Sequence, residues 1–247
     1  MLKSILVVLL CSVCFFSEAK RKSLVACIDE HPPYQYLAEI PYGKHISALR
    51  VLADVLNKEL IFVQSPNIAR CLSFLNTGYV DVIAGLNITK ERSKFTFYAP
   101  FKLADGLTAI SRKNMIINEY SDFADKIIGV PRGATYFAKF DNDNTLNKVS
   151  IQNEIVGLSM ILKQRIDLIL ANENILNMGP ENIDYNALKA TKIELGEDFS
   201  KITYFGFSIK NKLEMSQQKI ISAVKEAFKK GRFILSEDTQ VQVSDKP

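Results

Sequence analysis

From Ser23 onward, short apolar runs alternate with segments whose apolar residues recur every three or four positions. Residues 24–28 (LVACI) have the length of a buried strand and end in the polar stretch DEHPPYQY. Over residues 46–57, Leu49, Leu52, Ala53 and Leu56 fall on one face, which predicts an amphipathic helix. Residues 60–63 form a second strand. Residues 68–76 form a second helix, with Leu72 and Leu75 on one face and Gly78 as its stop. The apolar character of residues 80–84 predicts a strand covered on both sides. The run GLTAISRK (106–113) predicts another strand, after which a fresh series begins. It comprises strand 127–130, the turn and helix of PRGATYFAKF, strand 149–151, helix 153–164 and strand 166–170. A late strand at 204–210 and a helix at 216–229, with Ile220, Ile221, Val224 and Phe228 on one side, close the pattern. Such alternation argues for an α/β chain of parallel sheets covered by helices. The closing SEDTQVQVSDKP is polar.

The first residues break this pattern. Lys3 precedes an almost wholly apolar run at 5–16, and Ser17-Glu18-Ala19 follows, the three-part layout of a secretory signal peptide cleaved near Ala19. No later segment is long and apolar enough to span a bilayer. The expected location is therefore the periplasm. Cys11 and Cys14 fall inside the apolar leader, so their C-x-x-C spacing carries no redox or metal meaning. Cys27 and Cys71 remain; an oxidising compartment allows a bridge between them, and two separate buried thiols are the alternative. A chain of 247 residues, 47% hydrophobic and 23% charged, can bury a core as one domain or two lobes. The net charge of +4 comes from scattered lysines, which leaves no nucleic-acid footprint.

Ligands of open parallel sheets sit at the carboxyl ends of the strands. Four segments leave such ends: DEHPPYQY, GLNITKER, PRGATY and ANEN. In GLNITKER, Thr89 suits an N-cap and Arg92 lies in the first turn, where its charge opposes the helix dipole. Its guanidinium therefore needs a partner. A carboxylate gripped by two parallel hydrogen bonds is the natural one, with Glu91 or water as the alternatives. Gly133 stands between a strand and a helix, either as an anion-receptive nest with Ala134 and Thr135 or as an ordinary turn. His31 and His45 are the only histidines, and neither has a second ligand at metal spacing. Hydrolase motifs are missing, and Cys27 and His31, four apart, have no assured contact. The run DNDNTLNKVS lacks the glycine and the closing acid of a calcium loop.

Several of these stretches, in this order, resemble the amino-acid-type extracytoplasmic solute-binding proteins, bacterial family 3. HPPYQY is similar to that family's Y-P-P-F-x-F loop, and DVIAGLNITKERSKFTFYAPF to its signature ending in T-x-E-R and an aromatic strand. YSDFADKIIGVPRGATY resembles the opening of its second lobe, and LKQRIDLILANEN its G-R-[IV]-D segment. The resemblance implies a two-lobed periplasmic binding protein type II fold with the ligand cleft between lobes. Lobe 1 would be discontinuous (20–110 and 206–247), lobe 2 would span 111–205, and strands 107–112 and 204–210 would cross between them.

It further implies that Arg92 binds a carboxylate, with Asn87, Gly85 and Thr89 beside it. His31 or Tyr34 would supply the first-loop aromatic, Ile68 the head of the second helix, and Ala134 and Thr135 the second lobe's contacts. The family's ammonium-binding Asp falls on Asn172, which lacks charge, and Ala134 replaces a hydroxyl. The implied function is capture of a small carboxylate-bearing solute, an amino acid or a related compound, by lobe closure, for import or sensing. Its partners would be a membrane permease of the ABC type or a sensor protein; the chain would be a monomer without a cofactor, and not an enzyme. The alternatives are a dehydratase acting on a cyclic carboxylate, with His31, Glu30 or Glu173 as its acid or base, and a ligand-blind partner of a sensor.

Overall fold

The computed structural model describes residues 22–178, 182–193 and 201–234. The expected leader and the polar closing segment lie outside the described residues. In chain order the strands and helices are β1 (Ser23–Asp29), α1 (Lys44–Leu56), β2 (Glu59–Ser65), α2 (Ile68–Thr77), β3 (Val82–Leu86), β4 (Thr96–Leu103) and β5 (Thr108–Arg112). They continue with β6 (Ile127–Pro131), α3 (Ala138–Asn142), β7 (Asn147–Ile151), α4 (Glu154–Leu162), β8 (Leu168–Ala171), α5 (Ile175–Met178), β9 (Leu188–Lys192), β10 (Ile202–Ser208) and α6 (Gln217–Lys229).

These strands form two five-stranded sheets, ordered β2-β1-β3-β10-β4 and β7-β6-β8-β5-β9. Each has a parallel half and an antiparallel half. β1 runs parallel to β2 and β3, and β6 parallel to β7 and β8, whereas β10 and β5 run antiparallel to their neighbours. The sheets are thus mixed rather than purely parallel, because the chain enters and leaves each sheet without a helical crossover at those strands. Passage between sheets occurs at 104–107 and again between β9 and β10.

The expected lobe limits at 110/111 and 205/206 cut through β5 and β10. β5 lies wholly in the second sheet and β10 wholly in the first, so neither strand itself crosses. Hydrophobic runs mark a strand but not the sheet it joins.

Apolar residues on both faces of each sheet explain the helix placement. In the first sheet, Leu24, Ala26 and Ile28 face α1 and α6 in one cluster, and Val25 and Cys27 face α2 in another. Ile110 and Ile169 pack with α4 below the second sheet, and Ala109 and Leu170 with Phe123, Phe137 and Phe140 above it. Asp81 interrupts what the sequence pattern reads as strand 80–84. It is fully buried, and its carboxylate accepts from the backbone N–H of Val25 (2.9 Å) and of Lys212 (3.1 Å), locking the start of β3 to its neighbours. The helix expected directly after Gly133 begins only at Ala138.

Cys27 and Cys71 are bridged, joining β1 to α2 with a Cα separation of 5.5 Å, which decides between the two readings of those residues. The loop closed by the bridge spans a sequence separation of 44. In the chain-entropy account such a loop contributes roughly 4 kcal/mol. The Cys27→Ser/Cys71→Ser double variant is therefore expected to melt about 10 °C lower, at roughly 2–4 °C per kcal/mol for a chain of this size. Calorimetry of the two proteins checks this, and equal melting temperatures would contradict it.

Candidate functional site

The carboxyl ends of β1, β3, β6 and β8 converge on one cavity of ≈ 190 Å³ between the two sheets. That volume suits a small solute and lies below the range of pockets for drug-sized ligands. Its lining comes from the loop after β1, the end of β3, Ile68 at the start of α2, the 104–107 crossing, the loop after β6, the first residue of α4 and the end of β8.

Arg92 is the centre of the first-sheet side. β3 ends at Leu86, and Gly85 within it takes φ 87, where a Cβ would collide with the His45 ring. Only glycine meets both demands. The chain then turns, and the Thr89 hydroxyl accepts the backbone N–H of Arg92 (3.2 Å), starting a 3-10 turn at Arg92–Lys94. This aims the side chain inward until it is 6% exposed. Its Nη1 donates to the Asn87 carbonyl (3.1 Å) and its Nη2 to the Gly133 carbonyl of the second sheet's loop (2.7 Å). Among the described residues no carboxylate pairs with it. Burial lowers its pKa from the usual guanidinium value.

Other bonds cross the same gap. Asn87 Nδ2 donates to the Thr135 carbonyl (2.8 Å), and the Ala69 N–H to the Arg132 carbonyl (3.2 Å). Gly133, at φ 83, lets α2 approach so closely that a Cβ there would stand 2.9 Å from Ala69. Two buried hydroxyls of that loop, on Thr135 and Tyr136, have no hydrogen-bond partner, and both residues line the cavity.

Another part of the lining is rich in ionisable groups. His31 Nδ1 meets Glu154 Oε2 at 3.0 Å across the sheets. Burial pulls the His31 pKa down, but the charge of Glu154 and its hydrogen bond prevail and hold it at about 9. Burial pushes Glu154 up, and the same His31 contacts outweigh it and keep the carboxyl below its ordinary value. Lys102 pairs with Asp105 and lies 4.6 Å from the Tyr34 ring centre. Asp29, the last residue of β1, is pushed up to about 6 by burial. His45 stacks on Tyr34 at 4.5 Å with neither ring nitrogen hydrogen-bonded, and burial keeps it neutral.

Of the residues singled out from sequence, Arg92, Asn87, Gly85, His31, Tyr34, Ile68, Ala134, Thr135 and Asn172 all line this cavity. Thr89 does not; its hydroxyl is spent on capping the Arg92 turn. Arg92 turns to carbonyls rather than to Glu91. Asn172 donates from Nδ2 to the Gly106 carbonyl (3.2 Å) and accepts from the Asn174 N–H at Oδ1 (2.9 Å), so both ends of its amide are occupied. The disulfide removes Cys27 as a nucleophile. Sequence reasoning missed Asp29, Gln35, Lys102, Asp105 and Glu154. An acid at the carboxyl end of a parallel strand was the available signal for Asp29. Glu154 reads only as an acid suited to a helix's first turn.

The family model for bacterial extracellular solute-binding proteins, family 3, matches residues 24–235, and this chain belongs to that family. A search of curated protein sequences returns no match. An ancestral arginine-binding protein bound to glutamine superposes with a TM-score of 0.69 at 21% identity, over 87% of this chain and 96% of that one. The amino acid ABC transporter substrate-binding protein AbpA of Streptococcus pneumoniae, bound to L-arginine, gives 0.66 at 18%, over 85% and 88%. Holo ArgBP of T. maritima gives 0.67 at 17%, over 85% and 90%. These likenesses fix the fold as that of the amino-acid-binding receptors.

The His31–Glu154 pair sets a pH window. A raised histidine pKa adds stability that is complete below about 6.5 and disappears as pH rises through about 9. The depressed Glu154 adds stability that is kept above its ordinary value and lost in acid. Glu154→Gln should therefore cost roughly 1–2 kcal/mol near neutral pH, discounted for the solvent that reaches His31. The difference should close above pH 9. Melting temperatures of both proteins across that range check it, and a gap that persists into strong alkali would contradict it.

Proposed function

We propose that this protein captures a small carboxylate-bearing solute, an amino acid or a related compound, between its two sheets. Each sheet with its helices acts as a lobe, and ligand is held by closure about the 104–107 crossing. The observation that carries this reading is Arg92: a buried guanidinium facing the cavity, with two carbonyls and no carboxylate as partners among the described residues. A guanidinium in a dry site presents a planar fork that fits a carboxylate. Asn87, the Gly85 backbone and the free hydroxyl of Thr135 complete the polar surroundings, and Tyr34 and Ile68 supply apolar walls. The arginine and glutamine bound by structurally similar proteins support this class of ligand.

The leader expected from the sequence and the family both support work outside the cytoplasm, in the periplasm. The partner receiving the loaded protein is an ABC-type permease or a sensor, and the protein acts as a monomer. No observation in the cleft favours a dehydratase.

Thermal-shift screening against amino acids, dicarboxylates and aromatic acids tests the proposal. A ligand at a hundred times its dissociation constant adds about 2.7 kcal/mol, which is a shift of roughly 5–10 °C for this size. Arg92→Ala, first shown to melt cooperatively, is expected to lose most of that shift. A carboxylate whose shift survives unchanged in Arg92→Ala would contradict the assignment.

A further inference from the structure

His31 and Glu154 come from opposite halves of the molecule, and each is held in place by its own half. His31 sits in the loop after β1. Its N–H donates to the Gln35 carbonyl (3.0 Å), and its carbonyl accepts from the N–H groups of Tyr34 (2.9 Å) and Gln35 (3.0 Å). Its ring stacks on Tyr34 with centroids 5.2 Å apart. Glu154 is the first residue of α4, where the helix dipole favours an acid. The helix start is fixed by Asn153, whose side chain accepts the Val156 N–H (3.0 Å). With both partners anchored, their 3.0 Å contact depends on how far apart the two halves stand.

Three other bonds cross the gap, from the Ala69 N–H, Arg92 Nη2 and Asn87 Nδ2, and all three end on carbonyls of the 132–135 loop. The His31–Glu154 bond joins the halves elsewhere, at the start of α4, and pairs two opposite charges. Bonds of that kind are stronger than neutral ones. The Glu154 side chain is buried and that of His31 is half-buried, so water screens the pair from one side only. His31 also faces Asp29 at the end of β1, Lys102 of β4, itself paired with Asp105, and the neutral His45 ring of α1. Glu154 also faces Asp29, Tyr34 and Tyr136. Burial works against the imidazolium, and the charge and hydrogen bond of Glu154 outweigh it to hold the His31 pKa at about 9. The bond is therefore complete at neutral pH and is lost as pH rises through about 9.

We propose that His31 and Glu154 form a clasp that positions the two lobes against each other independently of solute, so that the protein alone is mostly closed and capture begins with release of this bond. The clasp is made wholly of protein groups and needs no solute to form. Its effect is on the balance between open and closed lobes, and a solute shifts that balance only by what it adds. This rests on the reading of the two sheets as lobes that open and close, and it is independent of which solute the cleft takes.

The experiment is small-angle X-ray scattering of the protein, unfolded and refolded with its disulfide intact to strip any bound solute. Glu154→Gln removes the charge and keeps a hydrogen-bond acceptor, and His31→Phe keeps a ring to stack on Tyr34. At about pH 7.5 each variant should have a larger radius of gyration than the unaltered protein. Loss of one charge-assisted bond shifts the closed-to-open ratio roughly tenfold or more. The double variant should expand no further than either single one, because both changes break the same bond. Raising the pH from about 8 to about 10 should expand the unaltered protein and leave the variants unchanged. The variants retain Lys102 and Asp29, so an expansion seen equally in all the proteins would come from those groups. Far-UV circular dichroism establishes that each variant is folded, and if neither folds, the pH series in the unaltered protein decides. The inference is overturned if the radii agree at about pH 7.5, or if alkali expands all the proteins equally or expands none. No solute enters this experiment, so its failure leaves the carboxylate reading standing. A screen in which no shift depends on Arg92 would equally leave the clasp standing.

Discussion

Arg92 is a guanidinium removed from water with no carboxylate in ion-pair contact among the described residues. Desolvating such a group costs several kcal/mol unless its hydrogen bonds are restored, and here two backbone carbonyls restore part of them. One carbonyl belongs to its own turn and the other to the opposite sheet. The burial of Arg92 therefore depends on how closely the two halves approach. That approach depends in turn on Gly133, whose missing Cβ admits the first turn of α2. A carboxylate in the cavity would meet a fork already desolvated and aimed, and the same contact would strengthen the link between the sheets. In the proposed reading, grip and closure are coupled through one side chain.

A second set of charges in the cavity works on different terms. His31 and Glu154 neutralise each other across the gap, so this bond ties the halves together without calling for a ligand. Lys102 and Asp105, three residues apart, neutralise each other locally beside the crossing segment. The contact between the two halves is thus supported by an ion pair internal to the protein. Stacking of His45 under Tyr34, with Gly85 above its ring, keeps that histidine neutral and packed as a wall rather than as a third cation.

Much of the scaffold was legible in the sequence. β1, α1, β2, α2 and α6 carry strong periodicity, and each lies within a few residues of its expected place. β9, LKATK, was not seen, because a short edge strand with lysines at 189 and 192 has little apolar signature. Arg92 was legible as a charge in want of a partner, and the loops that carry the family resemblance are among those that line the cavity. The contact of Asp29 with Gln35 and the His31–Glu154 bond were not legible. They depend on groups brought together by the meeting of two sheets, and spacing along the chain carries no trace of that. Thr89 shows the opposite error: a residue of the right type in the right block, whose hydroxyl serves the turn instead of the cavity.

The most direct measurement of the central claim is a crystal structure of the protein with a carboxylate ligand from the screen. The account predicts both carboxylate oxygens within hydrogen-bonding distance of the Arg92 guanidinium, between the β3 turn and the loop at Gly133–Thr135. A ligand seated elsewhere, with Arg92 still bonded only to the carbonyls of Asn87 and Gly133, would contradict it.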